Sequence, residues 1–355
     1  MPAPTPTAKR TQVFYRMMPK VELHRHLEGS LRLKTLVEVA RSHGIDVLGT
    51  DRLRSLVQIN DSEAYTFQNF LSKFQTLRLF YRTPEIVGRV TREAIADAAL
   101  DNVRYLELRF TPVALSRAQG FSLGEVMDWV IEGARDASQE YAITTRMIVS
   151  FNRNEPVELA EQVVQLAADR RSQGIVGIDL AGNEAEFSAR PFSGVINAAR
   201  QAGLQTTIHA GEWSGAANVA EAIEQLGADR IGHGVRVIED AGVVHLARER
   251  GIPFEVCLTS NYQSGVVASL QEHPFRRMLG QGLNVTLNTD DPSISNITLG
   301  DEYYLTCEEL GTPLTVLHDR ILAAARAAFL PEAERMNLVK SLRAELEKTV
   351  PIRSE

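Results

Sequence analysis

The chain has 355 residues, 44% of them hydrophobic and 23% charged, and this size and composition predict a globular protein whose core needs no disulfide or metal to hold it together. Its formal net charge of −7 and the lack of a basic block argue against a nucleic-acid partner, and the lack of an apolar run of about 18 residues argues against a membrane span. The two cysteines, Cys257 and Cys307, form no Cys-x-x-Cys motif, so we expect no disulfide framework and a reducing, cytoplasmic location.

The predicted elements begin after a short tail. Residues 1–12 are rich in proline and threonine and lack an apolar signal core, which predicts a disordered tail. Residues 13–350 are expected to form one domain, since no linker-like stretch interrupts them. The first strand, predicted over residues 21–24, leads into His24 and His26, and an amphipathic helix follows it.

Residues 49–82 are less regular than the rest of the chain. Within them Phe67, Phe70, Leu71 and Phe74 form an apolar stripe at helical spacing. A helix that faces the core would explain this stripe. A lid over a pocket would explain it too, because insertions after barrel strands often close an active site.

From residue 84 onward, helices and strands alternate with short glycine-containing joints. Such alternation predicts parallel strands, and eight strand–helix units predict a closed (β/α)8 TIM barrel, an α/β fold with extra lid helices after strand one. Residues 299–347 are predicted to form two or three C-terminal capping helices. The eight predicted strands are residues 21–24, 103–110, 142–150, 175–180, 204–209, 230–233, 252–257 and 283–288.

Polar side chains gather where the predicted strands end, which is the face of such a barrel that carries the active site. Four of the eight histidines fall there, whereas histidines with only structural roles would be expected to scatter. These polar stretches are His24 and His26 after strand one, residues 179–184 at strand four, 209–212 after strand five, 232–234 after strand six, 257–261 after strand seven and 288–292 after strand eight.

Three of these histidines and one carboxylate suit a metal ion. Side chains alternate along a strand, so His24 and His26 point to the same face. This pair alone is a weak signal, but His209 and a carboxylate, for which Asp290 is best placed, complete a set of three nitrogens and one oxygen. Such a set with a position left for water is typical of a catalytic Zn²⁺ site.

Three further residues at the strand ends suit the chemistry around a metal. Glu212 lies three residues after His209, close enough to carry a proton rather than to bind the ion. His233 is a candidate for holding hydroxide or stabilising charge. Asp291 could accept a hydrogen bond from a substrate, although it could equally cap the helix that begins at Pro292.

Glycines and one arginine near the strand ends leave two interpretations open. Gly182, Gly211 and Gly234 either let the backbone approach a ligand closely or serve turn geometry alone. Arg109 is expected to form a buried pair with Glu107 rather than to contact a substrate.

Six segments resemble those of the adenosine deaminase family, within the amidohydrolase superfamily. The similarity runs from about Pro19 to the C-terminal helices, and together the segments are highly specific. Deaminases that act on bases in nucleic acids carry a different signature, His-x-Glu with Pro-Cys-x-x-Cys, which this chain lacks. The segments are PKVELHRHLEG from Pro19, YLELRFTP from Tyr105, GIDLAG from Gly177, HAGE from His209, GHG from Gly232 and LNTDDP from Leu287.

The resemblance implies one Zn²⁺ per chain and a small purine nucleoside as the substrate. The ligands would be His24, His26, His209 and Asp290. Strand four offers no lysine to bridge a second metal, which favours a single ion.

The resemblance also implies roles for the neighbouring residues. Glu212 would protonate the purine N1, and His233 with Asp290 would orient the attacking hydroxide. Gly182 would contact N3 through its backbone, and Asp291 would contact N7. Hydroxide would add to C6, and ammonia would leave.

Two positions depart from the pattern of classical adenosine deaminases. Glu28 stands where they carry the Asp that meets the ribose 5′-hydroxyl, and Asn183 stands where Asp is common. Relatives that act on free adenine or on 6-amino-6-deoxyfutalosine also carry Glu-Gly at the first position. Lys73, Arg78 and Arg82 could meet a carboxylate on such a 5′ group, or could form a solvated helix face.

Adenosine is therefore the first expected substrate, followed by 6-amino-6-deoxyfutalosine and free adenine. A zinc hydrolase of another amide-like bond is a second hypothesis, and an inactive nucleoside-binding barrel is a third. An inactive relative would be expected to lack a metal ligand or the proton carrier, and none is missing here. A homo-oligomer is left open.

Overall fold

A computed structural model describes residues 9–46 and 49–349 of the chain. Residues 1–8 of the predicted tail and residue 350 lie outside this part, and the first helix begins at Gln12. Within the described residues, no helix is long and apolar enough to cross a membrane.

Eight parallel strands pair in chain order, each with the next, and helices surround them. The predicted α/β TIM barrel is thereby confirmed, with all eight strands found within two or three residues of their predicted bounds. The strands are β1 (Lys20–His26), β2 (Val103–Phe110), β3 (Thr144–Asn152), β4 (Ile175–Ala181), β5 (Gln205–Ala210), β6 (Arg230–His233), β7 (Pro253–Val256) and β8 (Asn284–Leu287).

Helices link successive strands and cover the outside of the barrel. This cover buries every strand over most of its length, as expected for a parallel sheet. The α-helices of the described residues are α1 (Gln12–Met17), α2 (Leu33–His43), α3 (Thr50–Val57), α4 (Phe67–Leu77), α5 (Pro84–Leu100), α6 (Pro112–Ser116), α7 (Leu123–Glu140), α8 (Val157–Asp169), α9 (Ser193–Gln201), α10 (Ala216–Glu224), α11 (Ala241–Glu249), α12 (Leu258–Gln263), α13 (Phe275–Gly280), α14 (Pro292–Ser295), α15 (Leu299–Tyr304), α16 (Leu314–Ala327) and α17 (Glu332–Glu347).

The extra elements lie where the sequence predicted them. Helices α2 to α4 follow β1, and α15 to α17 follow β8, with α16 packed against both β8 and β1. The hydroxyl of Thr83 accepts a hydrogen bond from the third residue of α5, and Pro84 opens that helix.

The barrel closes between β8 and β1 through residues that also belong to the candidate active site. Arg25 and Asp290 form a bridge, in which the amide of His26 donates to the carbonyl of Asp290 at 2.8 Å and the amide of Asp290 donates to the carbonyl of His24 at 2.9 Å. Asp290 adopts a left-handed backbone with φ of 66°, a costly conformation for a residue other than glycine. Closure of the sheet therefore fixes the Asp290 carboxylate beside the two histidines of β1.

The interior below the strand ends is charged. Arg109 on β2 contacts Glu255 on β7 at 2.8 Å and Asp179 on β4 at 3.2 Å, so one ion-pair network crosses the barrel. Arg230 on β6 pairs with the same Glu255 at 2.6 Å and with Glu107. These charges are completely buried, and buried ions are tolerated only when each has close partners.

Candidate active site

Four histidines converge at the carboxyl ends of β1, β5 and β6. The ring centroid of His24 lies 5.3 Å from that of His26, 4.8 Å from that of His209 and 4.7 Å from that of His233. The strand β1 extends as far as His26, with a register shift against β2 between Glu22 and Arg25, and both of its histidines reach the same cluster.

Buried carboxylates orient two of the four imidazoles. Glu255 contacts Nδ1 of His24 at 2.7 Å, and Asp179 contacts Nδ1 of His209 at 2.9 Å. Burial alone would raise the pKa of Asp179, but the charges of His209 and Arg109 outweigh it and hold that pKa below its usual value. An ionised carboxylate accepts the Nδ1 hydrogen, so the Nε2 lone pair of each ring is left for another partner.

Asp290 faces the same point as the two histidines of β1. Its Oδ1 lies 3.2 Å from Nε2 of His24 and 3.3 Å from Nε2 of His26, while its Oδ2 accepts a hydrogen bond from the hydroxyl of Ser260 at 2.7 Å. Burial would raise the pKa of Asp290, but His233 and His24 lower it well below the usual value. The carboxylate is thus ionised where an ion would need it.

The donor atoms fit a metal ion, although they form two overlapping groups rather than one. His24, His209, His233 and Asp290 have ligand atoms within 4.8 Å of one another, and so do His26, Asp179 and His209. Nε2 of His24 is buried and has no hydrogen-bond partner, which is costly unless something binds it. Three imidazoles and a carboxylate are a donor set that binds divalent zinc well.

Glu212 stands across from this cluster. Its Oε2 lies 3.6 Å from Nε2 of His233, and burial, reinforced by Asp290 and Glu184, raises its pKa well above the usual value. The carboxylate of Glu184 accepts the backbone N–H groups of Gly211 and Glu212, at 2.9 and 2.6 Å, and those of the next two residues. Glu184 therefore fixes the loop that presents the Glu212 side chain.

These residues surround a cavity of about 110 Å³ at the mouth of the barrel. The stripe on α4 forms part of its wall, as a lid would, although Phe70 is also buried in the core. The stripe therefore contacts both the core and the cavity, and its action as a lid stays a prediction. The lining residues are His26, Glu28, Phe70, Leu71, Phe74, Arg78, Thr111, Asn152, Ala181, Gly182, His209, Glu212, Trp213, His233, Asp290 and Asp291.

Comparison with known proteins gives a family that accounts for this arrangement. The family model described as adenosine deaminase matches residues 19–345. An adenosine deaminase from Clostridium perfringens is 36% identical over 288 residues, which are 81% of this chain and 86% of that protein.

The chain belongs to the adenosine deaminase family.

Two solved structures agree with this assignment. An adenine deaminase from Arthrobacter aurescens is 26% identical with a TM-score of 0.86, and the match covers 93% of this chain and 99% of that one. An amidohydrolase from Burkholderia ambifaria, solved with bound zinc, is 26% identical with a TM-score of 0.85 and covers 98% and 97% of the two chains. The family resemblance of the motifs is therefore confirmed across nearly the whole chain.

The three residues predicted to bind substrate all line the cavity of this deaminase fold. Glu28 is buried there, and Oε2 of Glu28 and Oδ1 of Asp291 have no hydrogen-bond partner. Asp291 occupies the N-cap position of α14 but makes no capping bond through its side chain, so that side chain is free to face a ligand. Only glycine fits at position 29, because a Cβ atom there would lie 1.8 Å from Oδ1 of Asp291.

The predicted glycines serve turn geometry, and one of them also serves the cavity. Gly182, Gly211 and Gly234 all have left-handed backbones, with φ of 91°, 70° and 65°. Of these, Gly182 lines the cavity, so its backbone is accessible to a ligand.

Two expectations about charged side chains were wrong. Arg109 is buried as expected, but its partners are Glu255 and Asp179, because Glu107 lies one layer deeper and pairs with Arg230. Lys73 belongs to neither a solvated face nor the cavity, since it is buried and its Nζ lies 2.6 Å from Glu63.

No role was predicted for Glu255 or Glu184, although Glu255 holds His24 and Glu184 holds the loop that carries Glu212. Glu255 sits in the middle of a short apolar strand, where a charged residue is unusual, and that pattern was the available signal. Glu184 was noted at the end of strand four, but its contacts with the loop after strand five depend on tertiary structure.

Glu302 on α15 holds the start of α12 and should make the free energy of unfolding depend on pH. It accepts the backbone N–H groups of Leu258 and Thr259 at 3.0 and 3.2 Å, which holds the start of α12. Burial raises its pKa from 4.5 to about 7. The folded state therefore holds this proton more tightly than the unfolded chain, so its stabilising contribution is full below pH 4.5 and is lost as the pH rises through 7.

We expect the free energy of unfolding to be higher in the wild type than in Glu302→Gln at acidic pH. This difference between the two proteins should be about 2 kcal/mol larger at pH 5 than at pH 8. Chemical denaturation at the two pH values measures this difference. Glu309→Gln, an exposed change on the same segment, is the control and should show no such dependence. Equal pH dependence in wild type and Glu302→Gln would contradict the assignment.

Proposed function

We propose that the protein is a zinc-dependent aminohydrolase that removes the 6-amino group of a purine nucleoside, with adenosine as the first candidate. The observation that carries this proposal is that the buried carboxyl group of Glu212 faces the same small cavity as the histidine–aspartate cluster. Such a pairing suits hydrolysis of an amidine, in which a ring nitrogen takes up a proton while water adds to the neighbouring carbon. Membership of the adenosine deaminase family supports the same reaction.

One zinc ion per chain would be held by His24, His26, His209 and Asp290. When bound, such an ion lowers the pKa of its water from 15.7 to about 7 and so supplies hydroxide at neutral pH. The protein's contribution is to hold the ligands in place, through Glu255 behind His24 and through the bridge that closes the barrel behind Asp290.

The protonation states favoured by burial match the acceptors of a purine ring. N1 and N7 of adenine both lack a hydrogen and accept hydrogen bonds. The pKa of Glu212 is raised by burial and by neighbouring carboxylates, and that of Asp291 is raised by burial and by Asp290 and Glu28. Both groups would therefore be protonated and able to donate, Glu212 to N1 and Asp291 to N7.

The reaction consumes one water molecule. Glu212 donates its proton to N1, which makes C6 electrophilic, and the water oxygen adds to C6 beside His233 and Asp290. The C6–N6 bond then breaks and N6 leaves as ammonia. The proton on N1 remains in the product, and of the two water protons one leaves with ammonia and the other returns to Glu212.

The ribose end of the pocket decides between the candidate substrates. Glu28, whose Oε1 accepts a hydrogen bond from the backbone N–H of Thr111 at 2.6 Å, lines this end of the cavity together with half-buried Arg78. Nε of Arg78 has no hydrogen-bond partner. These groups could receive a 5′-hydroxyl through Glu28, or an acidic 5′ substituent through Arg78. The neighbour from Arthrobacter aurescens keeps free adenine as a third candidate.

A steady-state comparison of substrates tests the proposal. Zinc-loaded protein would be given adenosine, 2′-deoxyadenosine, adenine and 6-amino-6-deoxyfutalosine, and ammonia release would be followed. We expect the highest kcat/KM with adenosine, by at least tenfold over adenine. A higher kcat/KM with 6-amino-6-deoxyfutalosine would make that compound, rather than adenosine, the proposed substrate. Arg78→Leu, but not Arg82→Leu, would then be expected to reduce this kcat/KM. No reaction with any of the four would overturn the proposal.

The proposed partner is a small molecule, and the proposed location is the cytoplasm. A small-molecule nucleoside is the proposed ligand, and the two free thiols, Cys257 and Cys307, fit the expected reducing cytoplasm.

A further inference from the structure

A line of three buried side chains runs from His273, just before α13, through Asn261 to His233 in the active site, and the first two have no role in the reaction described above. Nε2 of His273 lies 3.2 Å from Oδ1 of Asn261, and Nδ2 of Asn261 lies 3.1 Å from Nδ1 of His233. All three side chains are at most 5% exposed. Because each side chain contacts the next one directly, every link has a donor and an acceptor. The order of donors and acceptors sets which nitrogen of His233 carries its hydrogen.

The direction is set by the backbone at the far end of the chain. The amide of Phe275 donates to Nδ1 of His273 at 3.1 Å, and a backbone N–H can only donate. Burial lowers the pKa of His273 to about 3, so the ring is neutral at working pH. A neutral imidazole that accepts at Nδ1 carries its hydrogen on Nε2, and that hydrogen is donated to Oδ1 of Asn261.

The amide of Asn261 passes the direction on. Its oxygen is engaged by His273, so its NH₂ group faces Nδ1 of His233 and donates to it. Nδ1 of His233 therefore accepts, and the ring hydrogen of His233 lies on Nε2, the nitrogen that faces Glu212 and Asp290 at 3.6 and 3.9 Å.

Two of the proposed metal ligands have the opposite arrangement. His24 and His209 contact carboxylates at Nδ1, which accept a hydrogen and leave the Nε2 lone pair free. His233 contacts an amide NH₂ instead, so its Nε2 carries a hydrogen and cannot bind a cation. The two kinds of partner thus separate His24 and His209, as ligands, from His233 among the three histidines that distance alone groups together.

We propose that Asn261 and His273 are positioning residues that fix His233 as the Nε2–H tautomer, and so make it a hydrogen-bond donor to the attacking oxygen rather than a metal ligand. This inference rests on the proposed function for the role of His233 in catalysis. The tautomer itself follows from the hydrogen-bond chain and can be measured without substrate.

The test is a two-bond ¹H–¹⁵N correlation spectrum of the full-length protein labelled with ¹⁵N-histidine, recorded with zinc and after its removal. His233→Gln identifies the signals of His233. We expect the Nε2–H pattern for His233 and the Nδ1–H pattern for His24 and His209. An Nδ1–H pattern for His233 in the wild type would overturn the proposal, whatever the deaminase assays give.

Asn261→Asp reverses the link to His233, because a carboxylate can only accept from Nδ1 of His233, while the donation from His273 keeps its direction. We expect the His233 signal to change to the Nδ1–H or doubly protonated pattern and kcat to fall about a hundredfold or more, with KM changed less than threefold. Asn197→Asp, the same change on the exposed face of α9, should alter neither. Loss of kcat with an unchanged His233 pattern would reduce Asn261 to a packing role and contradict the proposal. If Asn261→Asp does not fold, the wild-type spectrum alone decides.

Discussion

Replacement of Glu212 by glutamine is expected to lower kcat for adenosine by about 10³-fold, with a smaller change in KM. The carboxyl group is buried, its pKa is raised by burial and by Asp290 and Glu184, and it faces the cavity. Glutamine keeps the size and can still donate a hydrogen bond to N1, but it cannot transfer a proton. The loss should therefore appear in the chemical step rather than in binding.

Steady-state kinetics of the zinc-loaded Glu212→Gln protein measure this effect. Zinc content is determined on the same sample, because Glu212 is assigned to proton transfer and the variant should keep its metal. Glu249→Gln, an exposed change at the end of α11, is the matched control and should retain wild-type kinetics. A Glu212→Gln protein within tenfold of the wild-type kcat would remove Glu212 from the mechanism.

Replacement of Glu255 by glutamine is expected to destabilise the fold by about 3–5 kcal/mol. Glu255 is completely buried and is the shared partner of two arginines, Arg109 at 2.8 Å and Arg230 at 2.6 Å. Burial would raise the pKa of Glu255, but Arg109 and Arg230 hold it well below its usual value, so the carboxylate is ionised. Its loss leaves two guanidinium groups with less compensating charge in the barrel interior.

The same substitution should weaken zinc binding by about 10- to 100-fold, since Glu255 also holds Nδ1 of His24 at 2.7 Å. Chemical denaturation gives the free energy of unfolding, and competition with a chelating dye gives the affinity for zinc. Glu345→Gln removes the surface partner of Arg104 and serves as the control, with an expected cost below about 1 kcal/mol and no effect on zinc. Equal costs for the two variants would contradict the structural role of Glu255.

Most of the barrel and of the candidate site could be predicted from the sequence, because the strands are short apolar runs separated by helices and glycine-containing joints. Strand β2 was placed at its observed bounds, since a mostly apolar run begins at Val103 and ends before a threonine–proline step. The proposed metal ligands could be named because each lies near the carboxyl end of a strand, and the carboxyl ends of parallel strands meet at one face. The motif resemblance then supplied roles that periodicity alone could not give.

What could not be predicted depends on contacts across the barrel. Arg109 was paired with Glu107 because both lie on one strand, yet the barrel brings Asp179 and Glu255 closer. The bridge of Arg25 with Asp290 and the partner of each histidine are likewise tertiary facts. They decide which histidine offers a lone pair and which offers a hydrogen, and no spacing rule contains that information.

The most direct measurement follows ammonia release from adenosine while the zinc content of the protein is varied and measured. Activity is expected to rise in proportion to bound zinc up to one ion per chain, to disappear when the ion is removed by a chelator, and to return when one equivalent is restored. Ammonia release that is unaffected by metal removal, or none at full zinc occupancy, would contradict a mononuclear deaminase site built from His24, His26, His209 and Asp290.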